Sequence, residues 1–262
     1  MSERSTGRGG SRWQDQIKPA NSNTRISISG QAIQSKMVAR PVQTGAEDNL
    51  GLTSERLRLR MVQRVQAQGV TRKEVLDALA KIHRHRFVDQ ALASRAYEDG
   101  ALPIGHGQTI SQPWVVARML AALCEPELPR KVLEIGTGCG YQAAVMSCIF
   151  SQVYSVERVR PLYEIARQRL RDMSLRNVHC LYGDGMLGWS AQAPFDAIIV
   201  AAAGLAIPKS LLDQLTVGGK LIAPEGDKVQ RLIMVTRSAT DQWVREELEA
   251  VRFVPLKPGV QT

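Results

Sequence analysis

No stretch of this sequence reaches the roughly 18 consecutive apolar residues that a membrane-crossing helix needs. The amino terminus carries charged and polar residues where a secretory signal needs an apolar core. Together these absences lead us to expect a soluble, cytoplasmic protein. The four cysteines, Cys124, Cys139, Cys148 and Cys180, form no C-x-x-C pair and lie among apolar or glycine-rich neighbours. Neither a disulfide framework nor a zinc site is expected from that usage, and no metal is called for.

Sustained periodicity is also missing from residues 1–45, which are rich in Ser, Gly, Gln, Asn and Arg. Such a segment cannot bury enough apolar surface to offset the entropy of ordering it, so we expect a flexible basic tail. It holds seven Lys or Arg against two acids, more than half of the net charge of +9. The charge therefore says little about the remainder, and a nucleic-acid contact is expected only through the tail, if at all. An organelle transit peptide is the weaker reading, because Glu3 and Asp15 interrupt it.

What remains, residues 46–262, is long enough for one domain with a substantial core, at 44% hydrophobic residues over the chain. Ser54 reads as the cap of a first helix carrying Leu57, Met61, Val62 and Val65 on one face. Thr71, with Glu74 three residues on, reads as the cap of a second, with Val75, Leu76, Leu79 and Ile82. The stretch YEDGALPIGHGQTISQP shows neither helical nor strand periodicity and reads as a long functional loop. From Lys131 strands alternate with helices: KVLEIG, VYSVE, VHCLYG, FDAIIVAA, GKLIAP, RLIMVT and an extended stretch around AVRFVPL, with helices over 141–150, 160–173 and 209–215. This pattern predicts an α/β fold with a doubly wound, mostly parallel sheet, the N-terminal helices packed beside it.

The chemistry begins where KVLEI runs into GTGCG. Gly136, Gly138 and Gly140 would stand at the carboxyl end of a buried strand, where open α/β sheets bind ligands and a backbone without side chains permits close approach. Tyr141 stands where part of a dinucleotide fingerprint would need glycine, which disfavours a pyrophosphate. Glu157 ends the second strand, 21 residues after Gly136, and is placed to accept from both ribose hydroxyls of an adenosine. Asp184 and Gly185 end the third, where a carboxylate beside flexible backbone can accept from an adenine amino group. Glu134, in an otherwise apolar strand, is costly to bury without a partner, and a methionyl ammonium would serve. These residues predict a Rossmann-like class I methyltransferase domain using S-adenosyl-L-methionine, with S-adenosyl-L-homocysteine as product.

The segments ALPIGHGQTISQPWVVARML, LEIGTGCGYQAAV, VYSVER, GDGMLGW, FDAIIVAAA and VRFVPL closely resemble the protein-L-isoaspartate O-methyltransferase family, over about residues 52–256. GQTISQP is the most specific of them. The resemblance implies methyl transfer to the free α-carboxylate of L-isoaspartyl residues in damaged proteins or peptides, the ester then collapsing to a succinimide. It assigns Ser111 to the active site. Because a carboxylate is already ionised at neutral pH and a sulfonium is an activated leaving group, positioning rather than a general base is required. Gln108, Thr109 and Ile110 beside Ser111 can supply that grip. A competing reading makes Ser111 the cap of a helix opening at Pro113. His106 is left outside the catalytic set.

At the fourth strand end, Val200 and Ala201 stand where amine methyltransferases of bases place Asn or Asp with Pro and an aromatic, and the small side chains leave room for a peptide main chain. The family more often has threonine or glycine after the valine, and serine in place of Cys139. Trp114 and Trp189 read as packing before stacking partners. An alternative acceptor, RNA or a small molecule, stays open on the basic charge.

Overall fold

The computed structural model describes the backbone of residues 45–262 and the side chains from residue 54 onward. The tail expected over residues 1–45 therefore lies outside the described residues, apart from its final glycine. Two helices come first, α1 (Gly45–Ala67) and α2 (Lys73–Lys81). α1 begins before the expected cap at Ser54. α2 is preceded by Arg72, which makes no side-chain cap bond, so the Thr71 capping box is not formed. Met61, Val65, Val75, Ala78, Leu79 and Ile82 nevertheless enter the core, close to the face expected from the spacing.

The glycine-rich stretch that reads as irregular contains a hairpin, β1 (Leu102–Gly105) and β2 (Gln108–Ile110). Its strands are too short for an alternating pattern to register, and its turn uses three successive left-handed residues, Gly105, His106 and Gly107. α3 (Pro113–Leu123) follows, with Gln112 at the cap and Pro113 in the first turn. Ser111 is therefore not the capping residue, and its hydroxyl is not committed to the helix.

The main sheet comprises β3 (Lys131–Ile135), β4 (Gln152–Glu157), β5 (Val178–Tyr182), β6 (Phe195–Val200), β7 (Leu215–Gly226), β8 (Gln230–Ala239) and β9 (Gln242–Val251). Their spatial order is β5-β4-β3-β6-β7-β8-β9. Pairings from β5 through β7 are parallel, while β7–β8 and β8–β9 are antiparallel. α4 (Tyr141–Ser147), α5 (Arg160–Asp172) and α6 (Lys209–Leu212) connect the strands. α6 stops before residue 215 because Leu215 already pairs with Phe195.

The last strand lies earlier than AVRFVPL. β9 reads QWVREELEAV and is mostly solvated, so an edge strand of charged residues offers no apolar alternation to read. After Val251 the chain leaves the sheet and crosses the carboxyl ends of the strands. Ala203 donates to Val254, Leu256 donates back to Ala203, and Gln261 pairs with Val159.

Alternate residues of β3 send side chains to opposite faces: Val132 joins a core with α2, α3 and α4, and Leu133 and Ile135 join a second core with α6. Because β3 connects outward to β4 on one side and lies against β6 on the other, the strand order reverses at its carboxyl end. A crevice opens there.

Candidate active site

That crevice is a cavity of about 310 Å³. Its floor comes from the glycine loop and the ends of β3 and β4; its roof comes from the β1–β2 hairpin and from Val254 to Lys257 and Gln261. Of the residues singled out from the sequence, Gln108, Thr109, Ile110, Ser111, Gly136, Gly138, Glu157, Gly185 and Ala201 line it.

The floor is held by Glu157, which is 4% exposed. Its Oε2 accepts from the Gly138 amide and its Oε1 from the Val159 amide, both at 2.8 Å. The glycine loop and the start of α5 are thus clamped to one carboxylate, whose remaining lone pairs stay available at the cavity wall. Gly185 closes the floor from the next strand end. A Cβ there would stand 2.5 Å from Ile135 Cγ2, so no larger residue fits without displacing the β3 core.

The other four candidate residues do not line the cavity. Asp184 accepts from two amides, Oδ1 from Met186 and Oδ2 from Gly259. The carboxylate expected at adenine also fastens the C-terminal segment to the end of β5. Gly140, with φ of 90°, precedes α4 and lets that helix pack against Ala166, 3.3 Å from where its Cβ would be. Val200 is buried in the second core. Glu134 is fully buried behind the wall, with one oxygen facing the Ser155 hydroxyl.

Several cavity residues escaped the sequence reading. Thr137 and Gln142 lie within and just after the glycine motif, where attention goes to the glycines. Val254, Pro255, Leu256 and Lys257 belong to a segment that has no site signature of its own. Arg158 binds the carbonyls of Gly259 and Pro258 and the Gln261 side chain, holding that segment over β4. His106 lies on the wall, with its backbone strained at φ 53°.

Thr109, Ser111, Ala201 and Val254 also line a second groove of about 610 Å³ that leads outward between α3 and the end of β9. Trp114 walls this groove while its indole donates to the Gln68 carbonyl, so it serves both packing and surface. Trp189 is elsewhere, edge-on to Tyr154. Among the described residues no cluster of His, Cys, Asp and Glu could hold a metal ion.

A protein-family model, "Protein-L-isoaspartate(D-aspartate) O-methyltransferase (PCMT)", matches residues 56–261. This chain belongs to that family. A protein-L-isoaspartate O-methyltransferase of Bordetella parapertussis is 58% identical over 97% of this chain and 96% of its own length. One from Bordetella avium is 59% identical over 95% and 93%. A solved protein-L-isoaspartate O-methyltransferase superposes with a TM-score of 0.71 at 29% identity, covering 78% of this chain and 67% of that one. The chain accordingly has the Rossmann-like class I methyltransferase fold and is an S-adenosylmethionine-dependent methyltransferase of isoaspartyl residues. A floor of close-approach glycines, an acceptor at Glu157 and orphaned buried polar atoms on Glu134 and Gln142 fit an adenosine carrying a charged amino-acid tail.

Proposed function

We propose that the chain places the free α-carboxylate of an L-isoaspartyl residue, in a damaged protein or peptide, against the cofactor at the junction of the cavity and the outer groove. The observation that carries this reading is that Thr109 and Ser111 line both spaces. A side chain reaching in from a main chain laid along the groove meets them. When bound, S-adenosylmethionine supplies an electrophilic methyl group on a sulfonium. Everything the protein adds is placement.

Ser111 orients the carboxylate through its hydroxyl, with Gln108, Thr109 and Ile110 completing the grip. It does not attack as a nucleophile, and no residue needs to remove a proton, since the acceptor is ionised at neutral pH. Ala201 leaves the wall open to the peptide main chain; its own amide is spent on the Ile135 carbonyl at 2.8 Å. Glu157 is the ribose acceptor, and Gly136, Gly138 and Gly185 allow the adenosine to lie against backbone. Asp184 and Gly140 serve this site at one remove, by fixing the C-terminal segment and α4. Val200 acts only as the strand end behind Ala201. The reaction is expected in the cytoplasm; no helix among the described residues is long and apolar enough to cross a membrane.

The test is transfer of radiolabel from S-adenosylmethionine to an isoaspartyl peptide, with the matched aspartyl peptide as control. Labelling of the first alone, released as methanol in mild base, is the expected result. Equal labelling of both, or preferential labelling of RNA, would overturn the acceptor assignment.

A further inference from the structure

Glu134 and Glu157 stand on adjacent strands, yet their surroundings are opposite. Glu157 receives two backbone amides. Glu134 is 0% exposed: the Ser155 hydroxyl donates to Oε2, the Gln142 amide lies against the carboxyl, and Oε1 makes no well-formed hydrogen bond. A buried carboxylate with neutral donors alone and no cation is poorly solvated in its ionised form.

Two polar routes connect it to the cavity. Ser155 Oγ lies 2.5 Å from Thr137 Oγ1, and Thr137 is on the cavity wall. Gln142 lies beside the Glu134 carboxyl and also lines the cavity, with its Nε2 buried and without a partner. The unpartnered Glu134 oxygen is an acceptor for which the protein supplies no cation, whereas the Gln142 amide is a donor and offers nothing to one.

Among the described residues no cationic group pairs with Glu134. Glu157, from β4, opposes a second negative charge, and Cys180, from β5, is kept a thiol by burial, pushed up to about 12. The β6 residue in register is Ile199, and α3 contributes Val116 to the cavity. The arginines bordering the glycine loop reach elsewhere, Arg84 to Ala96 and Gly100 with its Nη1 buried and unpartnered, Arg169 to Phe87 and Cys139; the cations on the cavity wall are Arg158, bound to the 258–261 segment, and Lys257. Burial, with the Glu157 charge adding to it, pushes the Glu134 carboxyl up to about 8. The proton is therefore held at neutral pH when nothing cationic is near.

We propose that Glu134 is a proton-linked counter-ion: capture of the cofactor's α-ammonium group in this cavity expels the Glu134 proton to solvent and leaves a carboxylate balanced by the ammonium. This rests on the cavity being the cofactor site. One O–H bond breaks, the proton passes to buffer, and the ammonium keeps its own protons. Affinity then rises with pH up to about the empty-state pKa, by at most about tenfold per unit for one released proton.

The experiment is calorimetric titration of the full chain with S-adenosylhomocysteine at pH 6.5 in two buffers of different ionisation enthalpy. Close to one proton released per ligand bound is expected, with binding tightening by up to about tenfold on going to pH 7.5. 5′-Methylthioadenosine, which lacks the ammonium, is expected to bind without proton release, a comparison that needs no variant. Glu134→Gln is expected to bind S-adenosylhomocysteine with no proton release and a flat pH dependence. Buffer-independent heat in the unaltered chain, or release that persists in Glu134→Gln, would overturn the proposal while leaving the cofactor site intact. Failure of both ligands to bind would overturn the site itself.

Discussion

The floor and the roof of the cavity are built on different principles. The floor is local: the glycine loop, Glu157 and Gly185 stand at the ends of three neighbouring strands, and the parallel register brings them together once the sheet forms. The roof is assembled from the β1–β2 hairpin and from residues 254–261, which reach the site through long-range contacts such as Gly259 to Asp184 and Arg158 to the 258–261 carbonyls and amide side chain. A floor made of backbone and buried carboxylate tolerates little change. A roof pinned by exposed bonds can vary, which suits the side of the cavity we propose for the peptide acceptor.

Substitutions should separate the two. Glu157→Ala should have the largest effect, because it removes charge-assisted bonds worth about 1.5–3 kcal/mol each from the Gly138 and Val159 amides and leaves the Val159 donor buried. Both thermal stability and S-adenosylhomocysteine affinity should fall, which thermal denaturation and calorimetry would measure; unchanged affinity would remove Glu157 from the cofactor grip. Gly185→Ala should follow, since its Cβ must displace Ile135 Cγ2 from 2.5 Å. An overpacking cost of about 1–3 kcal/mol is expected, with loss of cofactor affinity. The smallest effect belongs to the roof: Asp184→Ala should cost about 1 kcal/mol, because of its two bonds that from Gly259 is exposed and that from Met186 only part-buried. Faster hydrogen exchange over residues 254–261, with the glycine-loop amides unchanged, would register it.

Protonation sharpens the same contrast. Because burial raises the Glu134 carboxyl to about 8, the native chain retains a proton that the unfolded chain has released above its ordinary value of 4.5. Stability of the cofactor-free protein should therefore fall as pH rises from about 4.5 to 8 on account of this group, and level off above. Glu134→Gln should flatten that part of the profile in a denaturation series. A profile unchanged by the substitution would mean that Glu134 is ionised throughout.

The floor was the legible half because its elements lie in one continuous pattern, strand, glycines, helix, strand, acid. Spacing alone nevertheless treats Glu157 and Asp184 as equivalents. What distinguishes them is the C-terminal segment, which donates to Asp184 and bypasses Glu157, and no local signal announces a contact 75 positions away. For the same reason β9 and the crossing after it were misplaced: its solvated charges conceal strand periodicity. Ser111 and its neighbours were found through family resemblance, whereas the hairpin carrying them is too short to be read from alternation. Glu134 was conspicuous from the start as an acid in an apolar strand. Its lack of a cationic partner among the described residues is set by tertiary packing, which sends Arg84 and Arg169 to carbonyls.

The separation of cofactor floor from acceptor roof is tested most directly by replacing Thr109 and Ser111 together with alanine and measuring two constants on one preparation. The account predicts S-adenosylhomocysteine affinity within about twofold of the unaltered chain and kcat/KM for an isoaspartyl peptide reduced by about 30-fold or more, equivalent to about 2 kcal/mol of lost transition-state binding. A parallel loss of both, or a peptide rate that does not change, would contradict it.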